Sequence, residues 1–135
     1  MMKFSDYYIL ENEDSNNIIN VDGYSVEIVD KKDWTNGKTD PTEYSDSFQT
    51  IRIRSDYDYK TDPAGWLEHE KGHYDWRGSR DVDDYPDNPI EWEAFGRQFK
   101  YLQSKGYDFD EIFKIPTMEH EIQFRDFLKK VWDNI

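Results

Sequence analysis

The chain has 135 residues, with 30 Asp and Glu against 17 Lys and Arg, a formal net charge of −13 and no cysteine. That length suits one domain spanning residues 1–135, able to bury a core without crosslinks. The charge repels nucleic acid and anionic lipid, and the missing thiols exclude disulfides and thiolate metal sites.

The N-terminal segment, MMKFSDYYILENEDSNN, has no apolar run suited to a secretory signal. No later stretch approaches the roughly 18 apolar residues of a membrane span. A soluble cytoplasmic protein is therefore expected, with neither nucleic acid nor membrane as a partner. In chain order, Tyr7-Tyr8-Ile9-Leu10 is a short strand candidate, and Val21 to Val29 reads as a strand or as a hairpin around Asp22-Gly23. Residues 31–48 are dense in turn formers and read as a long loop. Phe48 to Arg54 alternates apolar and polar side chains, the pattern of a strand with one face buried. From Asp62-Pro63 the pattern becomes helical, a cap followed by proline, and runs to Trp76 or Arg77 before Gly78-Ser79. A second helix runs from Asn88-Pro89 to Lys105, with Gly106 as its stop. A short segment, Asp108 to Lys114, precedes a last helix from Thr117 to Asp133. Strands first and helices after imply an α+β fold, with three main helices on one face of a small antiparallel sheet.

The chemistry-bearing run is His69-Glu70-Lys71-Gly72-His73, a His-Glu-x-x-His pattern on the first helix. Residues four apart lie one turn apart on one helix face, roughly 6 Å between side-chain roots. Two neutral imidazoles so placed can reach one Zn²⁺ at about 2.0–2.1 Å. Glu70 projects about 100° round from His69, where a base can take a proton from a water activated by the metal. A third ligand is available in Asn88-Pro89-Ile90-Glu91-Trp92-Glu93-Ala94. In an antiparallel helical hairpin Glu93 lies near the height of His73, each roughly 6 Å from the connecting loop. Two histidines, one glutamate and a water form an open catalytic zinc site.

These residues resemble a gluzincin, the thermolysin-type class of zinc metallopeptidases, in a minimal single-domain form. The match is carried by His69-Glu70-Lys71-Gly72-His73 and by Glu93-Ala94 downstream. The resemblance implies a zincin-like fold and one zinc ion per chain, held by His69, His73 and Glu93. It also implies Glu70 as general base, a peptide or protein substrate, and an edge strand before the metal helix that binds substrate backbone. Phe48 to Arg54 stands in the position of that strand. Lys71 replaces a residue that is usually uncharged. Arg97 stands where the family has an aspartate orienting a ligand histidine, which moves that role to Asp75, to a loop aspartate, or to none.

Glu91 competes with Glu93 as the third ligand, the two pointing about 200° apart on a helix. Glu93 is preferred because it precedes a small alanine, as the family's ligand does. It also lies off the Trp92, Phe95, Phe99 and Leu102 stripe, which reads as core. Candidates to stabilise a transition state are His120, Tyr74, Tyr85 and Tyr101, of which His120 and Tyr74 are carried forward. Asp81, Asp83, Asp84 and Asp87 form an acidic loop without calcium spacing, since Pro86 and Trp92 stand where a glycine and an acid are required. A competing reading is a non-enzymatic acidic protein, an inhibitor or nucleic-acid mimic, whose motif is vestigial or structural.

Overall fold

The computed structural model describes residues 17–34, 40–77 and 88–135. The strand candidate Tyr7–Leu10, Tyr85 and the aspartates of residues 81–87 lie outside these. The first two strands, β1 (Asn17–Val21) and β2 (Tyr24–Val29), form an antiparallel hairpin. Asp22 and Gly23 both take positive φ, 53° and 92°, the requirement of a tight turn whose twist matches its strands.

The sheet is mixed, which corrects the antiparallel expectation. Its order is β1-β2-β4-β3, with β4 (Thr50–Arg54) parallel to β2 and antiparallel to β3 (Thr42–Ser45). The reason lies in residues 31–48, which are not all loop. The chain crosses from β2 to the far edge of the sheet, lays down β3, and returns through the gap between β3 and β2. The strand expected at the edge, Phe48–Arg54, is therefore interior, and Phe48 stands outside it at 80% exposure. Ile51 and Ile53 point into the core, while Arg52 on the opposite face pairs with Glu27 and Glu43.

At the β3 edge, the Arg54 N–H donates to the Pro41 carbonyl at 2.8 Å. Antiparallel pairs alternate between bonded and non-bonded, so the Glu43 backbone faces β4. The N–H and C=O groups of Thr42 and Tyr44 face away from β4, along the outer edge of the sheet formed by the described residues.

Four helices follow the sheet: α1 (Trp66–Asp75), α2 (Pro89–Ser104), the short α3 (Phe109–Ile112) and α4 (Arg125–Asp133). Asp62 caps α1 from outside it, its carboxylate accepting from the Leu67 and Glu68 N–H groups at 2.9 and 3.2 Å. Asn88 caps α2 through the Glu91 N–H at 2.8 Å. The stretch expected to open the last helix is a 3-10 turn, Glu119–Phe124, which runs into α4. Val26, Ile51 and Ile53 of the sheet pack in one core with Trp66, Phe95, Phe99 and Leu102 of the helices. Of the expected α2 stripe, Phe95, Phe99 and Leu102 are buried, and Trp92 is half-buried against Phe127. Among the described residues no helix is long and apolar enough to cross a membrane.

Candidate metal centre

Helices α1 and α2 approach most closely where Gly72 meets Ala94. A Cβ on Gly72 would lie 2.8 Å from the Ala94 Cα, so no larger residue fits without parting the helices. Ala94 thereby marks the face of α2 that looks at α1. Residues three before and four after it, Glu91 and Gln98, share that face, whereas Glu93 is turned about 100° aside.

The carboxylate that joins the two histidines is accordingly Glu91, which corrects the preference for Glu93. His69 Nε2 lies 3.4 Å from Glu91 Oε1, and His73 Nε2 lies 3.1 Å from Glu91 Oε2. Glu93 is exposed beside Arg97, near Gly72 and Asp75. The three ligating atoms lie within 4.8 Å of one another. Ligands at about 2.0–2.1 Å in a tetrahedron stand about 3.3–3.4 Å apart, close to the separation of each imidazole from its own Glu91 oxygen. Two imidazoles and a carboxylate are also the donor set of open zinc sites.

Electrostatics in the trio follow from burial and pairing. Burial opposes ionisation of Glu91, but hydrogen bonds to His69 and His73, and their charge, outweigh it and hold the carboxyl well below the usual carboxylate range. Burial would lower His69, yet the Glu91 hydrogen bond and the charges of Glu70 and Glu91 push it up to about 9. Glu70 is 5% exposed. Burial raises its carboxyl against the opposing pull of both histidines and of the Thr42 hydroxyl. That hydroxyl donates to Glu70 Oε2 at 2.8 Å and ties β3 to α1.

These groups line a cavity of about 530 Å³, and its wall includes Thr42, Tyr44, Glu70 and His120. His120 brings a second trio with it. Its Nε2 lies 2.7 Å from Asp40 Oδ1 and 2.8 Å from Glu121 Oε2. One N–H serves one carboxylate at a time, and the buried Asp40 Oδ1 is the oxygen left without a hydrogen bond. Although these donors could meet at an ion, their separations are those of hydrogen bonds and fall short of a zinc tetrahedron's edge. In the trio as it stands the His120 Nε2 is shared between two carboxylates.

Of the remaining expected residues, Tyr74 packs edge-on against Tyr24 and Tyr44, at 4.9 and 5.7 Å between ring centroids, and is not part of the cavity wall. Tyr101 donates to the Thr61 carbonyl at 2.6 Å. Lys71 pairs with Glu68 at 2.9 Å on the far side of α1. Arg97 and Asp75 bind each other at 2.7 Å, and the Tyr24 hydroxyl donates to Asp75 at 2.5 Å. Asp75 is thus held away from the histidines. The partner of His69 Nδ1 is Gln98, at 2.9 Å. Sequence reasoning missed Gln98, Thr42, Asp40 and Glu121. The Gly72–Ala94 pair of small residues was the signal that could have found Glu91 and Gln98 together. Comparison with family models, with curated proteins and with solved structures gave no match.

Proposed function

We propose that the chain is a zinc-dependent hydrolase of peptide bonds, with one zinc ion held by His69, His73 and Glu91. The reading is supported above all by the convergence of those three side chains within 4.8 Å, with the Glu70 carboxylate beside them on the same cavity wall. Zinc bound there supplies a Lewis acid that acidifies a water and polarises a carbonyl. Glu70 takes the proton of the attacking water and returns it to the leaving amine. Its burial favours that role, because a carboxyl raised towards working pH both accepts and releases a proton. The Thr42 hydroxyl fixes the Glu70 carboxylate by one oxygen and leaves the other for the water. His120 is the group we assign to the developing oxyanion, its ring held by the Nε2 edge between Asp40 and Glu121. An extended substrate pairs with the backbone groups of Thr42 that face away from β4, as peptides add to sheet edges. This moves the substrate-binding role from β4 to β3.

The test is elemental analysis of untagged protein together with cleavage of a peptide pool. About one zinc per chain and metal-dependent cleavage are expected. Glu70→Gln should keep the zinc and lower cleavage by about 10²–10⁴-fold. A chain without zinc, or a Glu70→Gln variant that cleaves as fast as the parent, overturns the reading.

A further inference from the structure

Every neutral histidine that binds a metal through one nitrogen needs its proton on the other, and the partner of that N–H decides how firmly the ring is aimed. In His69 the second nitrogen, Nδ1, lies 2.9 Å from Gln98 Oε1. An amide can present either its oxygen or its nitrogen, so the rest of the Gln98 environment decides which. Gln98 Nε2 donates to the Ala64 carbonyl at 2.9 Å and lies 3.4 Å from the Met118 sulfur. Both are acceptors, so the NH₂ belongs on that side. The oxygen is left facing the ring, where it can only accept. His69 Nδ1 must therefore carry a hydrogen in every state of the ring, so Nε2, on the Glu91 side, is the nitrogen that gives up its proton and offers a lone pair to a ligand.

The surroundings leave the amide little freedom to turn. Gln98 is fully buried. Gly65, at φ +75°, has no side chain to spare it, since a Cβ there would lie 2.9 Å from the Gln98 Cγ. A carboxylate at this position would face the Ala64 carbonyl with a second acceptor and leave both without a hydrogen. A neutral amide is the group that satisfies both neighbours.

We propose that Gln98 is the positioning residue of the centre, fixing His69 in the Nδ1–H form and aiming its Nε2 at the metal from the second helix. This rests on the zinc reading above and adds the means by which α2, beyond giving Glu91, orients a ligand of α1. The role for which Asp75, a loop aspartate or no residue was expected falls on this reading to an uncharged amide.

The test compares Gln98→Met with Gln98→Glu by zinc competition against a chelator, alongside melting of both metal-free variants. Each loses the hydrogen bond to the Ala64 carbonyl, so both should melt below the parent. Only Gln98→Met loses the acceptor at His69. It should bind zinc about 10–100-fold more weakly, while Gln98→Glu stays within about threefold of the parent, on the same scale. In the zinc-loaded parent, long-range ¹H–¹⁵N correlation should show His69 bound through Nε2 with a protonated Nδ1. Equal losses of affinity in the two variants, or binding through Nδ1, overturn the inference while leaving the zinc reading intact. A parent chain that takes up no zinc overturns both.

Discussion

The cavity has two walls with nearly the same inventory. One carries two imidazoles and a carboxylate, the other one imidazole and two carboxylates. They differ in spacing. Across the first, nitrogen to oxygen distances are 3.1 and 3.4 Å; across the second they are 2.7 and 2.8 Å. Both walls pair imidazole with carboxylate by hydrogen bonds, and the wider separations of the first lie closer to the edge of a zinc tetrahedron.

The largest expected effect tests the first wall. Glu91→Ala should weaken zinc uptake by more than a hundredfold, beyond the loss on removing a supporting group, whereas Glu93→Ala should leave it unchanged by chelator competition. The second wall is tested by His120→Ala, which should keep one zinc per chain and lower kcat by about 10²–10³-fold. Asp40→Asn and Glu121→Gln should also retain one zinc. A parent that binds two ions, falling to one in those variants, would erase the contrast between the walls.

The next effect is a pH dependence. Against burial, the Glu91 hydrogen bond and the charges of Glu70 and Glu91 push His69 up to about 9, above the ordinary 6.5 of an imidazole. Its pairing with Glu91 therefore stabilises the metal-free protein fully below pH 6.5, and that stability is lost as pH rises through 9. The melting temperature without metal should fall across this window, read by calorimetry. Zinc must displace the same proton, so its affinity should climb by about tenfold per pH unit from 7 to 9. The smallest effect is on packing. Gly72→Ala should destabilise the fold by about 1–3 kcal/mol through overpacking against Ala94, measured by denaturant unfolding.

Much of this arrangement was legible in the sequence. The periodicity and caps located α1 and α2, and the His69–His73 spacing located two of the three side chains of the proposed metal site. Glu91 was not chosen, because matching heights along a hairpin leaves the rotation of each helix open. Rotation is set by which residues permit close approach, and Gly72 with Ala94 held that information. Strand β3 was hidden because four residues, Thr42–Ser45, are too few to show alternation inside a turn-rich stretch. Asp40 and Glu121 reach His120 only through tertiary packing, which no local pattern encodes. The final helix was expected too early because its apolar spacing continues back through the 3-10 turn at Glu119–Phe124.

The bond from the Thr42 hydroxyl to Glu70 has a mechanical consequence. On the proposed reading, the residue whose main chain would receive an incoming strand also steadies the proton acceptor with its side chain. A peptide seated along this rim would pull on the same link that aims the carboxylate. Arrival of cargo and readiness of the base would then be joined through a single threonine, so an ill-fitting chain would meet a poorly aimed base.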